Sequence, residues 1–202
     1  YPNLKTLLGL PADDALVQEY LQRHPALQLE AHKLRNTVAF KSKTFSADEQ
    51  AWMVEELLAM ELQSMQRNAE AAAGSDVSVR SVVITVPPFY TIEERRAVQM
   101  AADLVGLKVL SLISDGVAVG LNYATSRTFP NINEGGKAEH HMVFDMGAGS
   151  ASATIMRFQG RNVKDVGKHN KSIQEVQALG SGWDRTLGGD ALNYLIVDDM
   201  IA

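Results

Sequence analysis

The sequence predicts an α/β fold, on three observations. Residues 81–113 read as strand, helix, strand. Two capping boxes, Ser46-Ala47-Asp48-Glu49 and Thr91-Ile92-Glu93-Glu94, open runs whose apolar residues recur at helical spacing. An apolar strand ending in Asp145 runs into a glycine-rich turn, Gly147-Ala148-Gly149-Ser150, and a second apolar segment follows from Ala151.

The first capping box places Val54, Leu57, Leu58, Leu62 and Met65 on one face of a long helix that Gly74 ends, with Trp52 and the methionines as core packing. Next, Ser81-Val82-Val83-Ile84-Thr85-Val86 is a β-branched strand stopped by Pro87-Pro88. The helix opened by Thr91 buries Val98, Ala101, Ala102 and Val105 and is capped by Gly106; an apolar strand over 107–113 then completes a β-α-β unit of the right-handed crossover type. A third helix is expected over 115–124. From 125 to 139 the chain turns polar, with Pro130, Asn131, Asn133, Gly135 and Gly136, which marks a loop and a domain boundary. Strands are expected over 141–145, 151–158 and 173–179, and a helix from Gly189 closes the chain, with Asp198 and Asp199 on its polar face.

Composition narrows the function. At 202 residues and 46% hydrophobic content, the chain can bury a substantial core in one or two domains. A net charge of −5 leaves no basic stripe to displace phosphate counterions, which argues against broad nucleic-acid binding. No apolar run approaches the roughly 20 residues of a membrane helix, so no membrane span is expected. With no cysteine there is neither a disulfide framework nor a thiolate metal site. The start at Tyr1 without an initiator methionine reads as that of an excised piece. Asn170-Lys171-Ser172 is a glycosylation sequon in a polar loop, usable only in a secretory compartment. His140 and His141 are adjacent on a strand, so they face opposite ways and do not share a metal.

The chemistry concentrates at 141–152. Glycines let a backbone turn tightly and bring N–H groups against an anionic oxygen; Ser150 can add a hydroxyl, and Asp145 can hold a magnesium-bound water. The same residues also describe an ordinary β-hairpin, and spacing alone does not choose between the two.

Four motifs in order resemble the nucleotide-binding domain of the 70-kilodalton heat-shock chaperones: Ser81 to Tyr90, Ala102 to Leu110, Val143 to Ser150, and Thr186-Leu187-Gly188-Gly189-Asp190. Tyr1 to Gly9, Glu93 to Val98 and Trp183 to Gly189 are similar to the large lumenal branch, the 170-kilodalton glucose-regulated type, whose fungal counterpart is the lumenal heat-shock seventy protein. The resemblance spans essentially the whole chain but only the middle of the family's domain. It implies part of an actin-like two-lobed fold, with residues 1–127 in lobe I, a loop over 128–140, and lobe II beginning at 141–202. ATP or ADP with Mg2+ would lie between the lobes.

On that resemblance, Lys5 matches the active-site lysine beside the terminal phosphate, where positive charge stabilises phosphoryl transfer. Gly147, Ala148, Gly149 and Ser150 match the second phosphate loop, Asp145 the carboxylate acting through magnesium-bound water, and Gly188 and Gly189 the pair that closes over the nucleotide. A helix-opening turn explains the last two equally well. The departures are specific: the middle glycine is Ala148, the threonine is Ser150, and the second aspartate is Ser152. Ser114-Asp115-Gly116-Val117 stands for the family's Asn-Glu-Pro-Thr, so Asp115 keeps a catalytic carboxylate one methylene shorter and Gly116 drops a proline, while Pro87 keeps the family's switch proline. Loss of a positioned acid or base costs about 10² to 10⁴ in rate. The resemblance therefore implies ATP binding with poor hydrolysis, in a chaperone of the endoplasmic reticulum lumen. Its implied roles are nucleotide exchange on an ordinary lumenal heat-shock chaperone and holding of unfolded protein clients. An active ATPase foldase and, further off, an actin-fold small-molecule kinase are the alternatives.

Overall fold

The computed structural model describes residues 1–41, 51–74, 76–165 and 170–201. Two compact units divide them: 1–84 with 90–112, and 85–89 with 113–202.

In the first unit a 3-10 turn, Leu4–Thr6, precedes helix α1 (Ala15–Arg23), whose first turn Asp14 caps by accepting from Leu16 N at 2.9 Å. Strands β1 (Gln28–Ala31), β2 (Val38–Lys41) and β3 (Ala51–Met53) form an antiparallel sheet in chain order. Phe40, fully buried, is its centre, with the rings of Tyr1 and Tyr20 at 4.6 and 6.3 Å.

Helix α2 spans Val54–Ala73. The capping box expected at 46–49 lies outside the described residues, and the helix does not run through 51–53. Those residues pair with β2, Trp52 opposite Phe40, and the cross-strand aromatic pair wins the segment for the sheet. The helix instead opens after Met53, whose N–H donates to Glu56 Oε2 at 2.7 Å. Val54 and Ala59 are buried as an amphipathic helix requires, but Met65 is exposed because the buried positions all lie in the first two turns.

The second capping box forms as read. Thr91 N donates to Glu94 Oε2 at 2.6 Å and Glu94 N to Thr91 Oγ1 at 3.3 Å, opening α3 (Ile92–Leu104). Ala97, Val98, Ala101 and Ala102 are buried, whereas Val105 is the half-buried cap residue. Gly106 follows in the left-handed conformation, φ 73°. Strands β4 (Ser81–Val86) and β5 (Lys108–Ser114) flank α3 in sequence and are hydrogen-bonded neighbours.

The second unit is an antiparallel meander of β6 (Glu139–Met146), β7 (Ala151–Lys164) and β8 (Asn170–Asp184), with helices α4 (Asp115–Ala124) and α5 (Gly189–Ile201). Phe129, Met156 and Phe158 form its core, packed by Val117, Tyr123, Val143 and Val176. The α4 backbone comes close to β7: a Cβ on Gly116 would stand 2.5 Å from Thr154 Oγ1, and one on Gly120 would stand 2.7 Å from Met156 Cε. The glycine at 116 therefore has a packing cause.

Strands β7 and β8 are longer than their apolar cores suggest, because their polar ends pair as a hairpin beyond β6, from Arg161↔Ile173 to Lys164↔Asn170. The Asn170 sequon consequently opens a strand and is exposed there, not carried in a loop. The polar segment before β6 is laid onto this hairpin. Gly160 N donates to Pro130 O at 2.9 Å, Phe129 N to Gln174 Oε1 at 2.8 Å, and Asn162 N to Asn133 Oδ1 at 2.8 Å. Helix α5 has no buried residue, so Asp198 and Asp199 do not stand opposite a packed apolar face. Among the described residues no helix is long and apolar enough to cross a membrane.

Candidate functional site

The register of β6 on β7 builds the site. Asp145 pairs with Ser152 and Met146 with Ala151, so 147–150 is the hairpin turn, closed by Gly147 N donating to Ser150 O at 3.0 Å. The hairpin turn is made of the same residues that the resemblance matches to a phosphate loop. No residue of the turn has a positive φ, so Ala148 meets no left-handed backbone and replaces a glycine without strain. Ser150 and Ser152 are buried, while Asp145 is exposed.

Strand β8 ends at Asp184, which builds a second turn. Its Oδ1 accepts from Thr186 N at 2.8 Å, Thr186 Oγ1 at 2.9 Å and Leu187 N at 2.9 Å. The Thr186 amide and hydroxyl and the Leu187 amide hold the carboxyl below the usual carboxylate range. This turn delivers Gly188 and Gly189 onto the first one. A Cβ on Gly188 would stand 2.2 Å from Ala148 O, so only glycine fits. Gly189 N donates to Gly147 O at 3.0 Å and Asp190 N to Ala148 O at 2.8 Å.

The outcome is a polarised loop. Its Gly147 and Ala148 carbonyls are taken by the first amides of α5, while the amides of Ala148 and Gly149 make no hydrogen bond among the described residues. Acceptors turned inward and donors left over suit an anionic oxygen. The structure thus brings together Gly147, Ala148, Gly149, Ser150, Gly188 and Gly189, with Asp145 at the strand end. Among the described residues no three His, Cys, Asp or Glu side chains could hold a metal ion. A single carboxylate acting through water, with phosphate oxygens completing the shell, is the mode that suits magnesium.

Two expected site residues lie on other elements. Lys5 is on the 3-10 turn of the first unit, exposed, its carbonyl accepting from Tyr90 OH at 2.7 Å. Asp115 opens α4 in the second unit and is half-buried. His141 bonds Glu139 at 3.0 Å. The sequence reading missed Asp184 and Arg185; the Asp-x-Thr spacing ahead of a glycine pair was the available signal for the first.

A strand with a carboxylate next to its end, a turn whose Gly147 and Ala148 carbonyls are taken, and a glycine pair clasped on it are parts of a nucleotide-binding domain of the actin-like ATPase class. Residues 2–202 match the model of the Hsp70 protein family, and the chain belongs to that family. The family binds ATP or ADP with Mg2+ and acts on unfolded clients. The chain is 40% identical over 200 residues to Hypoxia up-regulated protein 1 of Danio rerio, covering 99% of this chain and 19% of the relative. Against the proteins of that name from Xenopus tropicalis and Homo sapiens, identity is 40% over 194 residues and 38% over 183, covering 96% and 91% of this chain. The chain spans only 28% and 17% of those two relatives' lengths.

Proposed function

We propose that this chain is part of the ATP-binding domain of a large heat-shock chaperone of the endoplasmic reticulum lumen, one that promotes nucleotide exchange on an ordinary lumenal chaperone and holds unfolded clients. Residues 1–127 belong to lobe I, 128–140 to the connection and 141–202 to lobe II; this division follows the family's motif order, whereas contacts alone group 113–127 with the later strands. The amides of Ala148 and Gly149 and the Ser150 hydroxyl take phosphate oxygens, Gly188 and Gly189 close the loop, and Lys5 is the cation at the terminal phosphate. Asp145 and Asp115 act on the water shell of the metal. Magnesium, when bound, neutralises charge on the phosphate oxygens.

The observation that carries this reading is the pairing of Asp145 with Ser152 beside an intact donor loop. In the family's pattern two aspartates would oppose each other across the ladder; here one is a hydroxyl, which keeps nucleotide binding and removes an acid from the hydrolytic apparatus. Exchange requires a stable ATP-bound shape more than it requires turnover.

The test is the release rate of labelled ADP from an ordinary lumenal heat-shock chaperone mixed with the complete protein and ATP. Acceleration is expected, and it should vanish without ATP and in the double variant Asp145→Ala with Ser150→Ala. Unchanged ADP release with the ATP-loaded protein, alongside rapid steady-state hydrolysis, would replace the exchange reading with that of an active foldase.

A further inference from the structure

Arg185 lies within the turn that Asp184 builds ahead of the Gly188–Gly189 pair, and its side chain reaches another segment. Its Nη2 donates to the carbonyl oxygen of Phe89 at 2.7 Å, and its guanidinium sits 4.7 Å from the centre of the Phe89 ring. Trp183, two residues earlier, brings its own ring to 6.2 Å from that of Phe89. Trp183 and Arg185 thus converge on one residue, which ends the Pro87-Pro88-Phe89 segment after β4. The Asp184 carboxylate accepts from Thr186 and Leu187 to build the turn itself.

The next residue in the chain, Tyr90, is buried. Its hydroxyl donates to Lys5 O at 2.7 Å, and its own carbonyl accepts from Arg95 Nε at 3.0 Å. One peptide bond therefore joins a residue held by the glycine-turn side to a residue that holds the Lys5 backbone.

We propose that Arg185 is a positioning residue for nucleotide: it staples Phe89 to the loop that supports 147–150, so that phosphate binding there also fixes Tyr90 and the backbone of Lys5. Arg185 itself touches no nucleotide. This rests on the nucleotide reading above and adds to it a residue and a route.

The experiment is amide hydrogen exchange of the complete protein with and without ATP and Mg2+, in the unsubstituted chain, Arg185→Met and Arg185→Lys. In the unsubstituted chain ATP should slow exchange both at 147–150 with 188–190 and at 5–9 with 89–95. In Arg185→Met the first set should keep its protection while the second loses about tenfold; Arg185→Lys, which retains a donor but not the fork, should fall between. Equal protection of the second set in Arg185→Met would overturn the proposal, as would loss of both sets together, which is the mark of a merely structural residue. Absence of ATP protection anywhere in the unsubstituted chain would sink the nucleotide reading and the staple with it. If Arg185→Met fails to fold, Phe89→Leu keeps the accepting carbonyl and should cost the second set about threefold of its protection; no loss in that variant would count against the staple.

Discussion

Two residues bear most of the local argument. Gly188 is glycine for space: a Cβ would lie 2.2 Å from the Ala148 carbonyl oxygen, a backbone atom that cannot swing aside. Gly188→Ala should cost about 1–3 kcal/mol in chemical denaturation of the complete protein and weaken ATP binding with it. An unchanged midpoint would mean that the two turns are not clasped. Asp184 makes a pH prediction whose sign follows from its three donors. Its folded-state pKa is lowered, so its stabilisation is fully present above the ordinary carboxylate range and is lost as pH falls through the lowered value. Acid should therefore loosen the 184–187 turn only below that ordinary range. The Asp184 carboxyl shift followed by NMR should titrate low, and Asp184→Asn should lack this component of acid sensitivity.

At the scale of elements, the contact of α4 with β7 sets the price of a side chain at 116. Alanine is the better helix former by about 1 kcal/mol. Against this, a Cβ would press on the buried, β-branched Thr154, whose Oγ1 is also within hydrogen-bond reach of Ser181 Oγ at 2.9 Å. Gly116→Ala should therefore destabilise by a net of about 1–3 kcal/mol, with partial recovery in the double variant with Thr154→Ala; additive losses in that cycle would show that the two residues do not touch. Contacts of this long-range kind mark the boundary between what the sequence conveyed and what it hid. Helix α3 was legible from end to end, because its start, stop and buried face are all local signals. So was the glycine turn, as a turn. The start of α2 was not, since pairing of Trp52 with Phe40 across a sheet is a tertiary event that overrides a local capping pattern. The full length of β7 and β8 was equally hidden: their outer ends are polar and are strands only because each supplies the other's hydrogen bonds. Within the candidate site, the residue types gave the expectation of an anion loop, but the capture of the turn's carbonyls by α5 depends on residues some 40 positions apart in the chain and left no mark on spacing.

For the molecule as a whole, the reading turns on position 152. Ser152 is buried and faces Asp145 across the ladder, so Ser152→Asp rebuilds the family's pair of carboxylates. Steady-state ATP hydrolysis by the complete protein should rise about a hundredfold, the lower edge of the roughly 10² to 10⁴ that a positioned acid or base contributes. Stability should fall, because a carboxylate is buried at position 152 and brought opposite that of Asp145. Hydrolysis that stays flat in a folded variant would place the slow step elsewhere, and the Asp115 position would be the next to restore.

The capture of the glycine-turn carbonyls also sets an order of events during synthesis. Among the described residues the ladders of β6, β7 and β8 join neighbours in sequence, so the meander can form once residue 184 has left the ribosome. The Gly147 and Ala148 carbonyls have no partner until residues 189 and 190 follow. A nascent chain halted a few residues before that point carries the turn and the strands β6, β7 and β8, yet its turn still presents those two acceptors alongside its donors. The donor-only face of the turn is thus completed within two residues of translation, after the strands that carry it.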